Sequence, residues 1–363
     1  MPRIRILVAE DSPTVRKRLV EIILSAPDFE LVGEAEDGKS AIEMCRQHRP
    51  DVISMDMMMP VMSGLAATEY IMAHCPTPIL VVSASTNRGE LFKIYEALAA
   101  GAVDVLEKPT DAEANGDWEH RFLAMAKLVA RIQVVTHPRG RLMELQARML
   151  GAGAPSAGPS RKLEIIAIGA STGGPGAIVE ILRNLPASFD VPIVIVIHIN
   201  EPFGTAFADW LDGQTARRVV HPKDGMPVAA AAGRVLVAPG GHHLVVRDRR
   251  LYFLSGPERH SCRPSVDVLF ETVASEYGAS AAACLLTGMG RDGALGLLKI
   301  REAGGMTIAQ DESTAIVYGM PREAALLGAA QRILRIGDIA PSLAALNQSM
   351  SRPVHERPCS HCR

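Results

Sequence analysis

Short apolar runs that stop abruptly at a polar or glycine turn, with helical spacing after most of them, constrain this chain more than any other feature. Ile6–Ala9, Leu31–Ala35, Val52–Met55, Ile79–Val82 and Val103–Leu106 are runs of this kind. Helical patterns fill the gaps. Ser12-Pro13 caps a segment with Val15, Leu19, Ile22 and Ile23 on one face, and Lys39–His48, Leu65–Ala73 and Glu90–Ala100 follow in turn. Apolar runs without alternation belong to strands covered on both faces, and strict strand–helix alternation makes those strands parallel. A second set, Ile165–Ile168, Val191–Ile197 and Ala281–Leu286, repeats the theme. The fold class is therefore α/β, and 363 residues divide into two domains, each built on a doubly wound parallel sheet.

No apolar run reaches the roughly 18 residues that a membrane span requires, and Met1-Pro2-Arg3 leads straight into Ile4–Ala9 with no leader pattern. A cytoplasmic protein is expected, with no membrane insertion. A formal net charge of −2 and the lack of a local basic patch argue against nucleic acid as a partner. Cys45, Cys75, Cys262 and Cys284 stand at unrelated spacings, which fits reduced thiols used for packing.

In parallel sheets, ligands gather beyond the carboxyl ends of the strands. In the first domain those positions are Glu10, Asp11, Asp56, Ser83 and Lys108. Any one of them could simply solvate the sheet edge. Three carboxylates, a hydroxyl and an ammonium on one edge instead suit an oxygen-liganded Mg²⁺ shared with a phosphate.

In the second domain the run Ile165–Ile168 ends in Gly169-Ala170-Ser171-Thr172-Gly173-Gly174, a strand-to-helix turn whose free N–H groups can face an anion. It matches the G-x-S-x-G elbow of serine hydrolases. A phosphate loop and a plain tight turn remain open on this stretch alone, although no G-x-G-x-x-G spacing and no P-loop lysine is present. His198 ends the next buried strand, where a capping role is the ordinary reading. Asp292, between Gly290 and Gly293 after Ala281–Leu286, reads alone as a helix N-cap. Together the three share one rim and fill the roles of nucleophile, general base and orienting carboxylate. Their order, Ser…His…Asp, differs from that of the α/β-hydrolases. His243–Arg247 and Leu251–Leu254, joined at Asp248–Arg250, form an expected antiparallel hairpin at the sheet edge.

Between the domains, Trp118–Gln133 has helical periodicity, Arg141–Leu150 could form a short amphipathic helix, and Gly151–Ser160 has the composition of a tether. The expected division is 1–125 and 161–350 for the domains, 126–160 for the linker, and 351–363 for a disordered tail. In that tail Cys359, His361 and Cys362 could hold zinc, on a weak C-x-x-C signal.

With Glu10, Asp11, Asp56, Ser83 and Lys108 in place, residues 1 to about 125 resemble a two-component response-regulator receiver, which is flavodoxin-like. The resemblance implies that Asp56 accepts phosphate, that Glu10, Asp11 and Asp56 hold Mg²⁺, and that Ser83 and Lys108 are the switch hydroxyl and the phosphate-contacting amine. It also implies a cis Lys108–Pro109 bond and a histidine-kinase phosphodonor. Glu10 stands where many receivers carry aspartate, and Val105 where the family often keeps an aromatic ring. Gly169–Gly174, Ile197-His198, Arg263-Pro264-Ser265-Val266-Asp267, Thr287–Gly293 and Gly319-Met320-Pro321 resemble the chemotaxis protein-glutamate methylesterases. That resemblance covers both domains and implies a Rossmann-like catalytic domain and hydrolysis of glutamyl methyl esters on the cytoplasmic helices of chemoreceptors. It implies deamidation of selected glutamines as a second reaction, with an oxyanion held near Thr172 and Met289 and no cofactor for the hydrolysis. The receiver is expected to lie over the Ser171 rim until Asp56 is phosphorylated, and the chain to be a monomer. A response regulator with a non-catalytic scaffolding output is the alternative.

Overall fold

A computed structural model of the chain describes residues 2–84, 88–109, 117–132, 134, 163–199 and 203–349. Arg141–Leu150, the Gly151–Ser160 tether and the tail with Cys359, His361 and Cys362 lie outside the described residues.

The first domain runs β1 (Ile4–Ala9), α1 (Pro13–Ser25), β2 (Phe29–Ala35), α2 (Gly38–His48), β3 (Val52–Met55), α3 (Gly64–His74), β4 (Ile79–Ser83), α4 (Arg88–Ala100), β5 (Asp104–Glu107) and α5 (Asp117–Val129). All strand pairs are parallel, in the order β2-β1-β3-β4-β5. Ser12 caps α1 through Val15 N–H with Pro13 in its first turn, and Asp37 and Ser40 form a reciprocal capping box on α2. Ile6, Val8, Leu80 and Val82 face the α1/α5 side, where Trp118 stacks on Phe122 with ring centroids 5.5 Å apart. α5 buries Ala126 and Val129 in this core, so its last turn belongs to the same packed layer.

The second domain follows with β6 (Ile165–Ala170), α6 (Gly174–Asn184), β7 (Ile193–Ile197), α7 (Phe203–Gln214), β8 (Val219–Val220), β9 (Met226–Pro227), β10 (Val235–Val237), β11 (His243–Arg247), β12 (Arg250–Leu254) and α8 (Val266–Tyr277). It ends with β13 (Ala281–Leu285), α9 (Ala294–Glu302), β14 (Met306–Gln310), α10 (Met320–Leu326), β15 (Arg332–Leu334) and α11 (Ile336–Ser349). Its main sheet is parallel, in the order β15-β14-β13-β6-β7-β10-β8. The expected hairpin, β11–β12, forms beside that sheet rather than on its edge. It pairs with β9 as a small antiparallel sheet, and Leu244, Val246 and Leu251 pack with α8 in one core.

This strand order sets up the site. β6 is central, with β7 on one side and β13 on the other, so the chain reverses direction across the sheet at β6, where α/β sheets open a crevice. Ser171, His198 and Asp292 follow β6, β7 and β13, the three neighbouring strands at that crevice.

The domains meet through α4, which lies against α6 and α7. Tyr95 packs against Phe207 and Trp210, with ring centroids 5.4 and 5.2 Å away, and its hydroxyl donates to the Phe203 carbonyl. Arg88 pairs with Asp209 at 2.9 Å. Buried aromatics at 5–6 Å carry more of the energy of this contact than the exposed ion pair, which is worth at most about 1 kcal/mol.

Candidate active site

Two strand-end sites face different ways of handling charge. In the first, Glu10 and Asp56 are buried and Asp11 is exposed, with one carboxylate oxygen of each within 4.8 Å of the others. Lys108 Nζ reaches Asp56 Oδ2 at 2.9 Å and Glu10 Oε2 at 2.8 Å. Asp56 Oδ1 accepts Met57 N–H at 2.7 Å. Burial raises the Glu10 pKa despite the Lys108 hydrogen bond that opposes it. Burial alone would lower the Lys108 pKa, but Asp56 and Glu10 hold it above the ordinary value. The backbone of Lys108 bonds to Ser83 O at 3.1 Å, which brings this hydroxyl to the same edge. Ser83 Oγ is buried with no hydrogen-bond partner among the described residues. An all-oxygen donor set with an orphaned buried hydroxyl beside it fits a hydrated divalent cation and a phosphoryl group. The Lys108–Pro109 bond, expected to be cis, is trans; Arg263–Pro264 is the cis bond among the described residues.

The second site starts at the turn after β6. Gly173, at φ 77°, supplies the left-handed step that lets α6 begin directly behind Ser171. Gly288 allows a second close approach, since a Cβ there would fall 2.7 Å from Ser171 Cβ. Ser171 N–H donates to Thr287 O at 3.0 Å, and Thr287 Oγ1 donates to Thr172 O at 2.9 Å, so the β13 loop fixes the serine turn.

His198 Nε2 lies 2.8 Å from Asp292 Oδ2. The Asp292 carboxylate also accepts Val266 N–H at 2.7 Å, Asp267 N–H at 3.1 Å and Ser265 Oγ at 2.7 Å. An anion thus sits on the N-terminus of α8, with Ser265 as the helix cap. Burial would raise the Asp292 pKa, but the bonds from His198, Ser265 and Val266 lower it below the ordinary value. Burial would likewise lower the His198 pKa; hydrogen bonds with Asp292 and Cys262 instead lift it to about 9. The other ring nitrogen, Nδ1, is 3.6 Å from Cys262 Sγ.

Ser171, Thr172, His198 and Met289 line one wall of a cavity of about 550 Å³, and the opposite wall is the β5–α5 face of the first domain, including Asp104, Val105, Lys108 and Arg121. Ser171 Oγ makes no hydrogen bond with His198 among the described residues. Thr172 Oγ1 instead donates across the domain boundary to Asp104 Oδ2 at 2.9 Å. Asp104 is half-buried there, and desolvation of its carboxylate raises its pKa. The backbone N–H groups of Thr172 and Met289 have no acceptor among the described residues.

Cys359, His361 and Cys362 lie outside the described residues, while ten residues singled out from the sequence lie at the two strand-end sites, five at each. Ser265, Asp104 and Cys262 were not among them. Ser265 carries a cap signal, a serine just before the helical spacing of Val266, Leu269 and Phe270. Asp104 is legible only as a charge inside an apolar run, and Cys262 has no local signal.

Comparison with known proteins agrees with this architecture. Residues 166–343 match the CheB methylesterase family and residues 6–114 the response regulator receiver domain. A protein-glutamate methylesterase/protein-glutamine glutaminase of Anaeromyxobacter dehalogenans is 41% identical over 345 residues, covering 95% of this chain and 97% of its own. One from Pseudomonas aeruginosa is 43% identical over 349 residues, covering 94% and 96%. The Thermotoga maritima CheB methylesterase catalytic domain, known from a crystal structure, is 35% identical with a TM-score of 0.48, covering 50% of this chain and 98% of its own.

Proposed function

The chain belongs to the CheB methylesterase family, with a receiver domain ahead of the catalytic one, and on that premise we propose that Ser171, His198 and Asp292 hydrolyse glutamyl methyl esters under control of phosphorylation at Asp56. The observation that carries this reading is the 2.8 Å contact between His198 and an ionised Asp292 in a cavity wall shared with Ser171. Asp292 occupies Nε2, so Nδ1 is the nitrogen left for the serine. Ser171 Oγ attacks the ester carbonyl as Nδ1 takes its proton, and the Thr172 and Met289 N–H groups receive the oxyanion. The imidazolium then protonates the departing methoxide, which leaves as methanol. Water, deprotonated by the same imidazole, cleaves the acyl-enzyme and frees Ser171. With glutamine in place of the ester, ammonia leaves and the reaction is deamidation.

The substrates are the cytoplasmic helices of chemoreceptors, the phosphodonor is a histidine kinase, and the enzyme acts as a cytoplasmic monomer. No helix among the described residues is long and apolar enough to cross a membrane. The division into a receiver over 1–125, a linker over 126–160 and an esterase over 161–350 carries over from the sequence, with the receiver boundary moved outward because α5 runs on to Val129. Glu10, Asp11 and Asp56 would hold Mg²⁺, which neutralises charge on the transferred phosphoryl group. Lys108 would exchange its carboxylate partners for the phosphoryl oxygens, and Ser83 would offer its free hydroxyl. Phosphorylation adds about −1.5 to −2 charge at pH 7. It lands on the edge that Lys108 shares with the interdomain cavity and biases the receiver away from Ser171. A switch from 1:99 to 99:1 needs about 5.5 kcal/mol, so partial activation is expected. A purely scaffolding output would give Asp292 no reason to be held ionised against an imidazole.

The test is a serine-directed phosphonate applied to the full chain with a phosphodonor, with the adduct mapped by mass. The label is expected on Ser171 and absent from His198→Ala. An unlabelled Ser171 in a chain that still releases methanol would contradict the assignment.

A further inference from the structure

The turn before α8 brings a thiol to the ring nitrogen that Asp292 does not use. Arg259 and Cys262 exchange backbone hydrogen bonds at 3.1 and 3.0 Å, and His260 and Ser261 between them take φ of 53° and 59°. This turn sets Cys262 Sγ 3.6 Å from His198 Nδ1. A tetrahedral zinc ion with an imidazole nitrogen at about 2.0–2.1 Å and a thiolate at about 2.3 Å holds those two atoms about 3.6 Å apart. The thiol–imidazole separation therefore matches that of two ligand atoms on one tetrahedral zinc.

The support behind the ring is also present. Metal-bound imidazoles ordinarily give their other N–H to a carboxylate, which fixes the tautomer and strengthens the ligand. His198 Nε2 already does this with Asp292, itself fixed by Ser265 and the N-terminus of α8. His198, Cys262 and Asp292 together present donor atoms within 4.8 Å of one another. A second cleft, lined by His198, His260, Cys262, Met289, Asp292 and Glu323, gives an ion access from the side away from the receiver.

We propose that His198 Nδ1 and Cys262 Sγ bind a thiophilic divalent cation of the zinc type, braced by Asp292, and that its binding shuts off hydrolysis by occupying the nitrogen Ser171 needs. The thiol proton and the Nδ1 proton of the imidazolium both leave to solvent as the metal bonds to Sγ and Nδ1 form, and water fills the positions facing the cleft. The inhibitory half rests on His198 being the base proposed above; the binding half does not. A thiolate and an imidazole are poor ligands for oxygen-seeking Mg²⁺, so one cation can serve the receiver while another silences the esterase.

The experiment uses the full chain in saturating Mg²⁺, which fills the receiver carboxylates. Co²⁺ is added first as a spectroscopic probe. A thiolate-to-metal absorption band is expected in the wild type and in Ser171→Ala. Its component from this site is expected to vanish in Cys262→Ser and in His198→Gln, while any contribution from Cys359 and Cys362 remains in every variant. Zn²⁺ is then titrated against methanol release, each variant being compared with its own metal-free rate. Half-inhibition of Cys262→Ser is expected to need at least about tenfold more Zn²⁺ than the wild type, and a chelator should restore activity. Equal Co²⁺ spectra, or equal Zn²⁺ sensitivity, in wild type and Cys262→Ser would overturn the site. A Cys262-dependent band with undiminished hydrolysis would sustain the binding site and overturn both the inhibition and the role of His198 as base.

Discussion

In the receiver, Lys108 already bridges Glu10 and Asp56 within 2.9 Å, whereas across the domain boundary His198 holds Asp292 but not Ser171. Both sites stand at the ends of parallel strands, and both pair a buried carboxylate with a cation. They differ in what completes them. The receiver site is assembled from its own domain and faces outward through Asp11. The esterase site is half made, and the domain that covers it also bonds its Thr172 through Asp104. The difference is that one site is closed by contacts within its own domain, while the other keeps its serine unpaired to His198 beneath a contact from the neighbouring domain.

The largest effects should come from breaking the half-made site. Ser171→Ala and His198→Ala are expected to lower turnover by up to about 10⁶, read as methanol release by folded protein. Asp292→Asn should cost on the order of 10⁴ and also change the pH profile. Asp292 helps lift the His198 pKa from 6.5 to about 9. Wild-type kcat/KM should therefore climb with pH well above 6.5, and the variant's rise should begin at lower pH. The sign for stability follows from the same raised value. Protonated His198 stabilises the fold fully below its unfolded pKa near 6.5, and that stability is lost as pH rises through about 9. Urea midpoints of the wild type should fall over that window more than those of Asp292→Asn.

On the receiver side, Asp56→Asn should remove the whole response to a phosphodonor while leaving the unstimulated rate in place, measured by the same assay. A stimulated Asp56→Asn enzyme would mean that the two sites are coupled by something other than the phosphoryl group. The smallest effect is expected from the bond joining the two regions. Asp104→Ala removes one acceptor from Thr172, a hydrogen bond worth about 0.5–1.5 kcal/mol, and should raise the unphosphorylated rate about tenfold at most. An unchanged rate would show that α4 packing alone holds the domains closed.

Both sheets are legible because their strands are apolar runs closed by glycine or polar turns, as Ile165–Gly169 and Ile79–Ser83 illustrate. β14 escapes that pattern because Thr307 and Gln310 interrupt it, each satisfied by a distant backbone group. Thr307 Oγ1 donates to Ala329 O at 2.7 Å, and Gln310 Oε1 accepts Thr287 N–H at 2.8 Å. The strand-end acids and Lys108 are legible because charge is conspicuous at the end of a buried strand. Asp104 is not, since its partner Thr172 is 68 residues away in another domain. Cys262 is hidden for the same reason, as its proximity to His198 depends on how two left-handed residues turn the chain before α8.

Ser171 is expected to do the chemistry and Asp56 to control access to it. Methanol release from a methylated chemoreceptor, measured for the wild type and Ser171→Ala with and without a phosphodonor, tests both parts at once. The wild-type rate is expected to rise when the donor is added, with no release by Ser171→Ala in either condition. Equal rates from a folded Ser171→Ala protein would contradict it.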